Sequence, residues 1–231
     1  MPGRAFELAL GAYFRREDPG DVLFREWSAC KGQEIHFSHN DTWERVLEQG
    51  IMLLTRFCQD DRIRISQPRR NLQVKFTRPI GSNDFVAYVD GIGKLDGVRA
   101  LLEWKTSSNR YTEVPAGLLA LDPQLVCYSW MTGISEVAQV VFVRRKLVDI
   151  QYLRTTITDA QREEFGELVR NTIHRIESAD FLPHSGIRFP QNPCSSCAYV
   201  GLCLGRRDLT EVDLVRRPGA EDFGWLDELN Y

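Results

Sequence analysis

Apolar side chains recur at three- and four-residue steps in some stretches of this chain and alternate with polar ones in others, and the two periods divide it into helices and strands. Phe6, Leu10, Tyr13 and Phe14 define a helix over residues 3–17, which Asp18-Pro19-Gly20 stops. Val22, Leu23, Phe24 and Trp27 predict a second helix over 21–31 with Asp21 as its N-cap. Trp43, Val46, Leu47, Leu54 and Phe57 predict a third over 41–58, with Asp41 in cap position and Cys58 as a small core residue at its end. Leu72–Arg78 alternates as a strand with one buried face, and Phe85–Ser107 holds two apolar-rich runs around a turn between Gly93 and Gly97, a β-hairpin. Residues 117–132 read as helical, restarting at Asp122-Pro123, a cap followed by proline at the first helical position. Two short β-branched strands follow at 138–143 and 150–154. A helix over 158–178 then opens with a Thr158/Gln161 capping box and carries Phe165, Leu168, Ile173 and Ile176. Strands interleaved with helices predict an α/β fold with a central mixed sheet flanked by helices.

Composition narrows this picture. The 231 residues are 43% hydrophobic, enough for one sizeable core, and the formal net charge of -3 gives no global basicity that would announce nucleic acid. Basic side chains cluster locally at Arg69-Arg70, Arg144-Arg145-Lys146 and Arg206-Arg207, and Lys75 and Arg78 with Arg69 and Arg70 form the best candidate for a phosphate-contacting edge. No run of about 18 apolar residues and no signal peptide is present, which predicts a soluble cytoplasmic protein without a membrane partner.

Candidate chemistry concentrates in the hairpin. Residues two apart in a strand share a face, so Glu103 and Lys105 project together while Leu102 and Trp104 face the other side. Asp90 on the first run and Glu103 on the second form a donor pair for one or two hard divalent cations, with positions left open for water and a substrate phosphate. Lys105 beside them suits orienting or deprotonating an attacking water and stabilising developing negative charge. Together they predict hydrolysis of a phosphodiester. Cys194 and Cys197 are spaced C-x2-C, and Cys203 follows after five residues, a spacing that reads as metal or cluster ligation before disulfides.

Asp90-Gly91, Glu103-Trp104-Lys105-Thr106-Ser107, Gln124 to Tyr128 and then Cys194, Cys197 and Cys203, in that order, make the chain resemble the PD-(D/E)XK nuclease superfamily, and within it the RecB-like exonuclease branch. The resemblance implies a restriction-endonuclease-like core. It implies that Asp90, Glu103 and the main-chain carbonyl of Trp104 bind Mg²⁺ or Mn²⁺, that Lys105 is catalytic, and that Gln124 with Tyr128, matching a Q-x3-Y element, positions the substrate strand. The early helix matches a family segment that ends in a metal-binding histidine, and Glu7 occupies that position here as a carboxylate able to ligate Mg²⁺. Relatives with an iron-sulfur cluster carry its first cysteine upstream of this helix. A [4Fe-4S] site here therefore has three ligands, Cys194, Cys197 and Cys203, and no identified fourth. The corresponding division is an N-terminally shortened nuclease core at 1–189, a cysteine segment at 190–205 and a charged tail at 206–231.

The expected function is that of a metal-dependent DNA nuclease, an exonuclease acting on single-stranded or duplex ends in repair, recombination or defence. A helicase or another repair or defence protein is compatible as partner. Two other classes stay open at this level. One is a catalytically weak or inactive DNA-binding or assembly module that keeps the fold, and the other is a zinc-stabilised structural protein.

Overall fold

The computed structural model describes residues 3–32, 37, 41–113 and 117–180. The chain divides into two compact units, Met1–Ile173 and His174–Tyr231. Of the second, the described part is the end of one helix and a turn, where Arg175 and Asp180 pair at 3.0 Å. Cys194, Cys197 and Cys203, with the segments expected at 190–205 and 206–231, lie outside the described residues.

In chain order the elements are α1 (Gly3–Phe14), α2 (Pro19–Ser28), α3 (Trp43–Cys58), β1 (Ile63–Arg64), α4 (Pro68–Asn71), β2 (Leu72–Ile80), β3 (Asn83–Leu95), β4 (Val98–Ser107), a 3-10 turn (Leu118–Leu121), α5 (Pro123–Thr132), β5 (Glu136–Val143), β6 (Asp149–Thr156) and α6 (Asp159–Glu177). Among the described residues six strands make one mixed sheet in the order β1-β3-β4-β5-β6, with β2 paired to β3. β4 and β5 run parallel and the other pairs antiparallel. The sheet is covered on both faces. α1, α2 and α3 pack through Phe6, Leu10, Leu23, Leu53 and Phe57 onto Leu102, Val140 and Phe142. α5 packs through Leu125, Val126 and Tyr128 onto Val89, Leu101 and Val137. β5 lies between the layers, which is why Val137–Val143 is a nearly unbroken apolar run.

Local chemistry moves several boundaries from the sequence expectation. α1 stops at Phe14, because Arg16 takes a left-handed backbone with φ of 63°. α2 starts earlier than expected, since Asp18 rather than Asp21 caps it by accepting from the Gly20 and Asp21 N–H groups. Thr42 rather than Asp41 caps α3. Phe24, Leu168 and Ile176 are exposed despite their helical spacing, and Cys58 is exposed as well. The hairpin turn is only Asp96-Gly97, both left-handed, the pattern of a two-residue type I′ turn. Gly93 belongs to β3, where a Cβ would sit 2.7 Å from the carbonyl oxygen of Arg64 on β1. Its role is close strand approach, not turning. Among the described residues no helix is long and apolar enough to cross a membrane.

Candidate active site

The site is built where two strands part. β3 and β4 pair from Leu95↔Val98 to Gly91↔Leu102, and beyond that point β3 pairs with β2 while β4 pairs with β5. Asp90 and Glu103 stand immediately past the split, one on each arm. The backbone N–H of Trp104, which has lost its β3 ladder partner, donates instead to Asp90 Oδ2 at 2.9 Å. The fork is thus closed by a carboxylate, and that carboxylate is held against the strand bearing Glu103.

Glu103 is 3% exposed, an unusual burial for a carboxylate. Its Oε1 meets Lys105 Nζ at 2.5 Å, and among the described residues no hydrogen-bond partner reaches its Oε2. Lys105 is fixed from a second side, donating to Gln124 Oε1 at 2.7 Å, while the amide of Gln124 donates to the Tyr128 hydroxyl at 2.7 Å. Those contacts require the Gln124 oxygen to face Lys105 and its NH₂ to face Tyr128. α5 carries both residues, and its N-cap Asp122 is in turn approached by Gln139 of β5, the register partner of Glu103, at 3.4 Å. A Gln and a Tyr four apart on a helix thereby come to orient a lysine on a strand.

Glu7 reaches the fork from α1. The helix is anchored one residue earlier by Phe6, 1% exposed, whose ring meets Phe142 of β5 edge-to-face at 4.8 Å. Burying a Phe is worth about 1.5–3 kcal/mol, with roughly 0.5–1.5 more for the ring pair, enough to fix which face of α1 looks at the sheet. Glu7, Asp90, Glu103, Trp104 and Lys105 line one cleft of about 360 Å³.

Gln73 is the residue that sequence reasoning missed. The β2 ladder pairs Leu72 with Gly91 and Val74 with Val89 but skips Gln73 opposite Asp90, and Gln73 has a left-handed φ of 50°. Its Nε2 donates to Glu7 Oε1 and, at 3.1 Å, to Asp90 Oδ1. No glycine, turn motif or spacing in LQVKF signals this kink. The position reads as one more polar residue of an alternating strand.

Crowded carboxylates repel one another. The Asp90 carboxyl is pushed up to about 8, first by burial and then by the charge of Glu103, against the N–H of Trp104 that favours the ionised form. Glu7 is raised by burial and then by Glu103, with Arg4 opposing. Burial pulls Lys105 downward, but its hydrogen bond to Glu103 and the charges of Glu103, Asp90 and Asp122 outweigh this and the net shift is upward. The Tyr128 phenol is raised by burial and by the charges of Glu103 and Asp90. Excess negative charge in a partly dry cleft, with one carboxylate oxygen unpartnered, is the environment a divalent cation would neutralise. Among the described residues no group of three or more His, Cys, Asp or Glu side chains is placed to hold a metal ion.

Several solved structures resemble the chain, two of them as follows. A protein of Eubacterium rectale provisionally named an exonuclease is 14% identical, with 82% of this chain and 77% of that one covered and a TM-score of 0.48. The protein SSO0001 is 15% identical over 71% of this chain and 76% of its own, with a TM-score of 0.36. No curated protein matches the chain. The sequence profile of the PD-(D/E)XK nuclease superfamily matches residues 3–204, a span that contains the fork, Lys105 and the Gln124–Tyr128 pair. The chain belongs to the PD-(D/E)XK nuclease superfamily.

Proposed function

We propose that the protein is a divalent-metal-dependent deoxyribonuclease that hydrolyses phosphodiester bonds, working as an exonuclease at DNA ends. The observation that carries this reading is the fork itself, which gathers Asp90, Glu103 and Lys105 from two diverging strands and backs Lys105 with Gln124. Asp90, Glu103 and the carbonyl of Trp104 would hold Mg²⁺ or Mn²⁺, with Glu7 at the edge of the shell. A hydrogen-bonded strand residue directs its N–H and C=O to the same neighbour. The Trp104 N–H donates to Asp90, and by that rule its carbonyl would face the fork too. When bound, the cation supplies charge neutralisation on the phosphate and acidifies water.

The chain's own residues then divide the work. Lys105, clamped between Glu103 and Gln124, presents an ammonium to the scissile phosphate and orients the attacking water. Gln124 and Tyr128 hold that ammonium at one height above the sheet and supply polar contacts to the strand being cut. Burial of Glu103 limits the access of bulk solvent to its carboxylate.

The exonuclease character and a setting in repair, recombination or defence, with a helicase or similar partner, rest on the RecB-like order of motifs. Cys194, Cys197 and Cys203 would supply three ligands of a [4Fe-4S] cluster, and an ultraviolet-visible spectrum of anaerobically purified protein separates such a cluster from zinc. A second reading, a DNA-binding module with little catalysis, is favoured by the contact of Glu7 with the amide of Gln73. The deciding experiment incubates labelled single- and double-stranded DNA with Mg²⁺ or Mn²⁺ and wild type, Asp90→Ala or Lys105→Ala. Cleavage by wild type alone is expected. Equal cleavage by all three sinks the catalytic assignment, and salt-sensitive binding without any cleavage favours the module.

A further inference from the structure

The carboxylate cleft does not end at the fork. It shares Arg4, Glu7, Asp90 and Trp104 with a second cleft of about 480 Å³. That cleft shares Arg15, Pro68 and Arg69 with a third of about 530 Å³ that also takes in Arg16 and Arg70. The three form one groove between α1 on one side and the α4–β2 segment on the other. Acidic side chains are concentrated at the fork end and arginines outward. Arg15 is engaged by Glu17 at 2.9 Å, and Glu17 also feels Arg69, but the side chains of Arg16 and Arg70 make no ion pair among the described residues. Trp104 lines the inner part and Phe14 the outer. Their rings are 6.3 Å apart and within 21° of parallel, an aromatic strip along the groove.

The groove is also where the backbone is strained. Arg16, Gln67 and Gln73, three of the five non-glycine residues with positive φ among the described residues, border it, while the others sit at the hairpin turn and after α6. Such conformations are costly for residues other than glycine, and strain of this kind collects where side chains must be aimed. Here it turns Arg16 and the α4 arginines toward a channel that leads to the carboxylates.

Resting on the nuclease reading, we propose that this groove is the path of one polynucleotide strand, whose phosphates are held by Arg69 and Arg70 with Arg15 and Arg16 while the end to be cut lies at the fork. Phosphate contacts from arginines set position without reading sequence, and aromatic surfaces accept any base. Clefts of this size admit a nucleotide or two at a time of a single strand. A single strand is the proposed occupant, and a duplex would have to fray to follow the same path.

The test is anisotropy of a short labelled single-stranded oligonucleotide across a salt series, with Ca²⁺ in place of Mg²⁺ so that binding is read before cleavage. Wild type is compared with Arg69→Glu/Arg70→Glu and with the equal charge reversal Lys94→Glu/Arg99→Glu at the far end of the hairpin. Arg69 and Arg70 are exposed on a short surface helix, so thermal melts should match wild type. The groove reversal should weaken binding about tenfold or more and flatten the salt slope by roughly 0.7 per lost phosphate contact, and the hairpin reversal should do neither. Wild type should also bind single strands more tightly than a blunt duplex. Hydrolysis of bis-p-nitrophenyl phosphate by wild type tests the underlying reading separately. If it is cleaved while the groove variant keeps full affinity and slope, the groove assignment is wrong and the nuclease reading stands. If wild type neither cleaves it nor binds the oligonucleotide, both fall.

Discussion

The backbone N–H of Trp104 donates to Asp90 Oδ2 at 2.9 Å, across the point where β3 and β4 stop pairing. One bond therefore does the work of a missing ladder rung and holds a carboxylate beside buried Glu103. The cost of this arrangement is electrostatic, and it is where the first prediction lies.

Asp90 has its pKa pushed from the ordinary 3.8 to about 8. A carboxyl raised in the folded state contributes its full stability below the unfolded value and loses it as pH climbs through the folded one. The metal-free protein should therefore melt at progressively lower temperature from about pH 4 to 8, through this group, with Glu7 acting in the same direction. Asp90→Asn keeps an acceptor for the Trp104 N–H and removes the charge. Melts in EDTA should show the variant gaining on wild type as pH rises, whereas Mn²⁺ should stabilise wild type and leave the variant unmoved. Parallel pH profiles for the two proteins would contradict this.

Lys105→Met removes the cation that pairs with Glu103 at 2.5 Å. Turnover should drop by about 10²–10⁴. The metal-free protein should lose roughly 1–3 kcal/mol through the stranded carboxylate. Mn²⁺, measured by calorimetry, should bind at least as tightly as to wild type, because Glu103 is no longer neutralised by the ammonium. Weaker metal binding would mean that Lys105 supports the site structurally instead.

Gln73 joins Glu7 to Asp90 from a strained backbone. Gln73→Ala should lower the melting temperature in EDTA, by the equivalent of about 1 kcal/mol. Saturating Mn²⁺ should erase most of that difference, since the cation takes over the task of holding the carboxylates together. A deficit that persists unchanged with metal would assign Gln73 to the fold alone. Gln73→Glu adds a further negative charge, so it should be the less stable variant without metal and the tighter Mn²⁺ binder.

Gln124→Leu severs Lys105 from α5 while leaving the Glu103 contact. The expected result is a loss in kcat of roughly tenfold to a hundredfold with KM for a small diester little changed, because the ammonium is still present but no longer held. Tyr128→Phe, which removes only the partner of the Gln124 amide, should fall between this variant and wild type.

Much of this could be read from the chain. The i,i+2 placement of Glu103 and Lys105, the Asp122 cap and the four-residue step from Gln124 to Tyr128 depend on strand and helix periods, which are properties of neighbouring residues. The mixed α/β sheet followed from the same periods, as did the capping box at Thr158, where Gln161 and Thr158 exchange side-chain hydrogen bonds. Helix boundaries were less legible, because Asp18 and Asp21, or Asp41 and Thr42, are chemically equivalent caps and packing picks between them.

The sequence by itself therefore determined most of the elements and which ionisable side chains each carries. Tertiary structure alone decided that β3 and β4 diverge after Gly91 and Leu102, that α1 turns Glu7 to the fork, and that Gln73 leaves the ladder to bridge two carboxylates. It also joined α1 and α4, far apart in sequence, into one arginine-lined groove. The reason is range. Periodicity and capping act within a few residues, while the fork, the bridge and the groove are contacts between segments whose separation along the chain carries no local signal.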